Sequence, residues 1–377
     1  MKVLCCSNSF KASISAIDAC KAMAEAVTAE GLDSVCVPLS DGGDGFLSAM
    51  LSAAGGQRRT ATVTGPNGHP LSAAWGITPD GTAVIEMAEC AGLRLPAAWP
   101  LNPLGATTRG VGELILAALN EGCRHVTVGL GGSATTDGGT GMLRALGARL
   151  LDSREAELDE GGGSLVNLRR IDMSGWLLPD DVVIEAACDV DNPLIGPHGA
   201  ASVFGPQKGA TAKDVAQLEA GLTALAQLMP PVGGTRAAIL PGGGAAGGLG
   251  AGLAAFCNVA LLPGSELILN ALDFDRWCLE CDIILTGEGC IDDQTPRGKV
   301  IAAVSRRGAK YGRPVIALAG SVGRDAEAAL QELGLTAGIS IADGPMTVEY
   351  SMAQAYRLIE TASSRLLRIV VAASRRG

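Results

Sequence analysis

Most of the residues suited to chemistry in this 377-residue chain sit in short loop-like stretches rich in glycine or aspartate: SDGGDG at 40–45, GGSATTDGG at 131–139, CDVDNP at 188–193 and TGEGCIDDQT at 286–295. Glycine-rich loops that lead into helices can turn backbone N–H groups toward an anion. Aspartates in the same loops suit Mg²⁺, which takes a few carboxylates and completes its shell with phosphate oxygens and water. The chain has only seven lysines, and three fall in polar loop motifs: Lys11 in SNSFKAS, Lys208 in FGPQKGA and Lys299 in TPRGK. With a net charge of −10, positive charge must be gathered locally to meet a polyanion. These lysines, with Arg109 in ATTRG and Arg297, are the candidates. The pattern predicts a phosphate site with a divalent cation.

Other chemistries fit less well. Gly129, Gly131 and Ala134 follow the apolar HVTV run in the relaxed dinucleotide spacing, with Asp152 further on. However, Asp137-Gly138-Gly139 stands where the first helical turns should be. Each glycine there costs about 1 kcal/mol against alanine, and a carboxylate repels a pyrophosphate unless a cation intervenes. A Walker A loop ending at Lys299 would need glycine at Asp293 and Ser or Thr at Val300. The HRD and DFG motifs of protein kinases are missing. The three histidines, His69, His125 and His198, do not suggest a Ser-His-Asp hydrolase or a zinc site.

Composition narrows the partners to a small molecule. The sequence pI is near 4.9 and no basic stripe appears, which argues against nucleic acid. MKVLCCSNSF lacks a long apolar h-region, and the longest uncharged stretch, Ala237 to Ser265, is broken by proline and glycine, so no membrane segment is expected. Eleven irregularly spaced cysteines suggest reduced thiols and a cytoplasmic setting. The one CxxC, Cys278 to Cys281, reads as packing. A homodimer stays open.

Apolar rhythm indicates what must hold these loops. KVLCC and SVCVPL read as strands with a helix between them over roughly 14–30, and another helix starts at Phe46. RRTATVT and LSAAWGIT flank Asn67-Gly68, a hairpin signal. CDIILTG, RPVIALAG and LTAGISI restore the strand–helix alternation of a parallel sheet. The expected fold is two α/β domains. Residues 1–64 and 284–377 together form a parallel Rossmann-like or flavodoxin-like sheet from both chain ends, and residues 65–283 form an inserted α/β domain.

NSFKASISA, SDGGDG, VIEMAECAGL, GGSATTDGGTGML, ACDVDNPL, VFGPQKGAT, GGGAAGGLGAGL and TGEGCIDDQT occur in the order found in the bacterial glycerate kinase family, which this chain resembles from Val3 to about residue 345. The resemblance implies a two-domain α/β enzyme that phosphorylates D-glycerate with ATP, usually at the 2-hydroxyl, at a cleft between its domains. With the loop chemistry above, it assigns Ser9, Asn8, Asp41 and Arg109 to substrate. Gly131, Gly132, Ser133, Asp137, Lys208, Glu288 and Lys299 go to ATP, with Asp137 orienting its loop. Asp41, Asp44 and Asp292 are expected to hold Mg²⁺, and Lys11, Asp189 and Asp292 to act in catalysis. Two departures stand out. The family usually reads Pro-Asp-Ser-Phe-Lys where this chain has Ser7-Asn8-Ser9-Phe10-Lys11, and Arg-Ile-Asp-Ser where it has Cys290-Ile291-Asp292-Asp293.

Overall fold

The computed structural model describes residues 1–10, 12–39, 45–291, 300–323 and 326–374. In chain order its strands are β1 (Lys2–Cys5), β2 (Asp33–Cys36), β3 (Gln57–Thr64), β4 (Pro70–Ile77), β5 (Thr82–Glu86), β6 (His125–Gly129), β7 (Arg149–Leu151), β8 (Arg170–Asp172), β9 (Val183–Ala187), β10 (Ala260–Leu262), β11 (Ile283–Ile291), β12 (Val315–Val322) and β13 (Ala337–Ser340). The chain divides into two compact units. One comprises Met1–Asp41, Ser48–Ala54 and Ser265–Gly377; the other comprises Gly42–Leu47 and Gly55–Gly264.

The first unit holds a parallel sheet ordered β13-β12-β11-β1-β2. Counted within the unit, this is the flavodoxin-like order, whose switch point lies between β1 and β11. The period of two along each strand feeds both faces. Ile316 and Leu318 pack with Met23, Val27, Leu358 and Leu367 on one side. Ala317 and Ala319 pack with Ile301, Leu330 and Leu333 on the other. Helix Ala16–Ala29 forms where Ala19, Cys20, Met23, Ala26 and Val27 fall on one buried stripe. Ser15 caps it by accepting the Asp18 N–H at 3.1 Å, a contact worth about 1 kcal/mol.

The second unit carries a six-stranded sheet ordered β10-β9-β6-β5-β4-β3. β10, β9, β6 and β5 run parallel, and β4 and β3 complete it antiparallel. The turn expected at Asn67-Gly68 spans residues 65–69: Gly65 N–H reaches His69 O at 2.7 Å, and Gly68 takes φ +80°.

These units are cut differently from the sequence-based ranges. β3 pairs along its whole length with β4, from Gln57 opposite Ile77 to Thr64 opposite Pro70, and so lies in the second sheet. Residues 265–283 fall in the first unit. Arg307 holds them there, with contacts to Glu266 at 2.9 Å and Asp275 at 2.5 Å.

Candidate active site

In the first unit a cavity of about 650 Å³ opens at the carboxyl ends of the parallel strands. It is lined by Asn8 and Ser9 after β1, Glu288 on β11 and Ser321 on β12. Hydrogen bonds extend the β1–β11 contact into this loop: Asn8 N–H donates to Gly287 O at 3.0 Å, and Ser7 Oγ donates to the same oxygen at 3.0 Å. Asn8 Oδ1 accepts the Ser9 N–H at 2.8 Å, which fixes the amide. Three expected site residues, Asn8, Ser9 and Glu288, therefore share one cavity at the topological switch point, where open α/β sheets place ligands.

In the second unit β6 ends in the GGSATTDGG loop, which is built around a fully buried carboxylate. Asp137 Oδ2 accepts Thr108 N–H and Thr108 Oγ1–H at 2.8 Å each and Gly141 N–H at 3.1 Å, and Oδ1 accepts Gly139 N–H at 3.1 Å. Burial pushes this carboxyl above the ordinary carboxylate range, and the bonds from Thr108, Gly141 and Gly139 pull it back. Lys208 is 2% exposed and lies under the same loop. Its Nζ donates to Ser133 Oγ at 2.9 Å and to Thr135 O at 2.6 Å. Burial lowers the Lys208 ammonium to about 7, opposed by the charge of Asp137. Gly247, at φ +67°, backs the loop so closely that a Cβ there would lie 1.9 Å from Thr135 O.

The loop is exposed only at its start. Gly132 is exposed, Gly131 half-buried and Ser133 buried. Ala134 N–H is already bonded to Ala91 O at 2.8 Å, and Gly138 N–H to Gly247 O at 3.0 Å. Gly131 and Gly132 are thus the part of this loop that solvent reaches, whereas Asp137 and Lys208 hold it from inside.

Asp189 is exposed just beyond the carboxyl end of β9, where its Oδ1 accepts Gly264 N–H at 2.8 Å. Arg109 is engaged by acids, with Nε 3.2 Å from Glu113 and Nη1 2.9 Å from Glu160. Lys11, Asp41, Asp44, Asp292 and Lys299 lie outside the described residues.

The sequence reading passed over Glu86 and Thr108. Glu86, 6% exposed at the end of β5, accepts Gly45 N–H at 2.9 Å and Leu47 N–H at 3.0 Å, so it anchors the residues that leave SDGGDG. A carboxylate closing the apolar VIE run was the available signal. Thr108 bridges Asp137 to Met142 N–H, a contact at 3.1 Å across 34 residues that no local pattern encodes. Among the described residues no group of three or more His, Cys, Asp or Glu side chains could hold a metal. No helix of the described residues is long and apolar enough to cross a membrane.

Residues 3–371 match the profile of the glycerate kinase family. A Bacillus subtilis (strain 168) protein named glycerate kinase is 44% identical over 348 residues, covering 91% of each chain. An Escherichia coli (strain K12) protein named glycerate 2-kinase is 44% identical over 330 residues, covering 86% of each. A crystal structure from Salmonella typhimurium LT2, provisionally named glycerate kinase 2, superposes with a TM-score of 0.86 at 39% identity, covering 100% of this chain and 99% of that one. The motifs, the two α/β units and these chain-long matches agree, and the chain belongs to the glycerate kinase family.

Proposed function

We infer that this protein transfers the γ-phosphoryl group of ATP to D-glycerate and yields 2-phosphoglycerate and ADP. The observation that carries the reading is the family match over residues 3–371, together with the similarity to a relative named glycerate 2-kinase. In the reaction the substrate 2-hydroxyl oxygen bonds to Pγ, the bond from Pγ to the β,γ-bridging oxygen breaks, and the hydroxyl proton passes to a base. Phosphoryl transfer asks the protein chiefly for positioning and charge neutralisation.

Glu288 supplies a carboxylate to the cavity of the first unit. Mg²⁺ is commonly held by one or two carboxylates plus phosphate oxygens and would arrive with ATP. When bound, the ion would neutralise charge on the transferring phosphoryl group. Asp41, Asp44 and Asp292 are the further carboxylates proposed for it. Gly131 and Gly132 offer exposed or half-exposed backbone to an anion. Lys11 and Lys299 are proposed to meet phosphate oxygens. Asp189, an exposed carboxylate beyond the end of a parallel strand, is proposed as the base.

ADP release with D-glycerate, with and without Mg²⁺, tests the reading, with the product identified by ³¹P NMR. Mg²⁺-dependent 2-phosphoglycerate supports it. Binding of D-glycerate with no ADP released would instead mark a binding protein without turnover.

A further inference from the structure

The cavity of the first unit has two unlike ends. Asn8, Ser9 and Glu288 form a polar end at the switch point between β1 and β11. Ile341, just after β13, and Met346 and Met352 form an apolar end towards the sheet edge. Small-molecule pockets of roughly 300–1,000 Å³ are mostly apolar with a few placed polar groups, and about 650 Å³ falls in that class. A three-carbon acid, charged and rich in hydroxyls, matches neither the size nor the apolar end.

Part of the apolar wall is left uncovered. Helix Val348–Ala353 buries none of its residues, although it carries Val348 and Met352 against the cavity. Val348 is 69% exposed. The wall is nonetheless held in place. Ser13 Oγ donates to Met352 O at 2.8 Å, and Thr347 caps the helix by accepting Tyr350 N–H at 3.2 Å. Phe10, which also lines the cavity, is 3% exposed and fixed by mutual backbone bonds with Ile14. Ile341 is buried and Met346 packs on the core of the unit, so the wall is anchored from behind while its helical part stays uncovered, which suits a flat, uncharged ring system that would shield it from water.

We propose that this cavity is the purine-nucleoside pocket of the protein: the base lies between Ile341, Met346 and Met352, and the phosphate tail runs towards Asn8 and Glu288. The proposal deepens the kinase reading by giving its nucleotide a seat and a direction, and it rests on that reading for the identity of the nucleotide.

Cys290 lines the cavity and, with Cys36, is one of the two exposed cysteines. Alkylation of Cys290 by iodoacetamide, followed by peptide mass spectrometry, therefore reports occupancy without turnover, with Cys36 as the internal control. Adenosine and ADP should slow alkylation of Cys290 and leave Cys36 unchanged, whereas ribose 5-phosphate should protect neither. Equal protection by ribose 5-phosphate, or none by adenosine, overturns the assignment.

Two variants complete the test. Met352→Trp fills the base slot without adding charge, and Val348→Ser trims a wall residue that is not buried. Met352→Trp should weaken ADP binding by about tenfold or more, equivalent to about 1.4 kcal/mol, and Val348→Ser should weaken it by less. KM for ATP should rise further than KM for D-glycerate. A larger rise for D-glycerate, or unchanged ADP affinity in a folded Met352→Trp, refutes the pocket even if the protein proves to be a kinase. Adenosine protection of Cys290 in a protein that releases no ADP with D-glycerate would sink the kinase reading and leave the pocket standing.

Discussion

Asp137→Asn isolates the strut inside the GGSATTDGG loop. The carboxylate is fully buried and accepts four hydrogen bonds, three on Oδ2 and one on Oδ1. An asparagine oxygen can keep the three donors at Oδ2. Its NH₂ then faces Gly139 N–H, donor against donor. Leaving a buried donor unpaired costs about 1–3 kcal/mol, and the three retained bonds weaken because charge-assisted bonds are roughly twice as strong as neutral ones. Together these give about 3–5 kcal/mol. Burying a charged carboxylate is itself unfavourable, as its raised pKa records, so the lower end applies: about 3 kcal/mol. For a domain of this size that corresponds to a drop in Tm of roughly 10 °C. Urea and thermal unfolding followed by circular dichroism measure it, with Asp189→Asn as the exposed control. A loss below about 1 kcal/mol would show that the loop does not depend on this carboxylate.

Further outcomes follow from the same geometry. Lys208 has a folded-state pKa lowered to about 7 against an ordinary 10.5, so between those values the unfolded chain binds more protons and stability rises with pH by up to about 1.4 kcal/mol per unit. Below pH 7 both states hold the proton and the slope vanishes; Lys208→Met should abolish the rise in urea titrations at pH 7, 8 and 9, and an unchanged slope would contradict the assignment. Gly247→Ala sets a Cβ 1.9 Å from Thr135 O at a left-handed φ, so it should destabilise by about 2–4 kcal/mol and lower soluble yield; near-neutral unfolding would mean that the loop readily shifts. Asp189→Asn keeps an oxygen for Gly264 N–H and removes the proposed base, so kcat should fall by about 10²–10⁴-fold with little change in Tm; a kcat within threefold of the parent would exclude Asp189 as base. Asn8→Asp keeps the oxygen that accepts Ser9 N–H and returns a charge to the cavity, so turnover should rise, and an unchanged rate would show that the missing carboxylate is compensated.

The fold was legible because its signals are local. Short apolar runs marked β1, β11, β12 and β13, and the stretch between the first two strand-like runs marked the helix that forms at Ala16–Ala29. The boundary between the units was less visible because pairing decides it: β3 reads as a strand wherever it goes, and only its partner β4 places it in the second sheet. The site was legible as loops and obscure in its polarity. A lysine in FGPQKGA looks like an anion ligand, yet Lys208 is turned inward by Ser133 and Thr135, which lie 75 and 73 residues away. Glu86 was hidden for the same reason, since its partners Gly45 and Leu47 lie about forty residues earlier. The cavity in the first unit could not be read from sequence, because its walls come from segments near residues 8, 288, 320 and 346.

The most direct test of the whole account is coupled ADP release by the purified protein with Mg²⁺, ATP and D-glycerate, with the product assigned by ³¹P NMR. The account predicts ADP formation that needs both D-glycerate and Mg²⁺, with phosphate appearing on the 2-oxygen. ADP formation indifferent to D-glycerate, or none with the folded protein at saturating ATP, would contradict it.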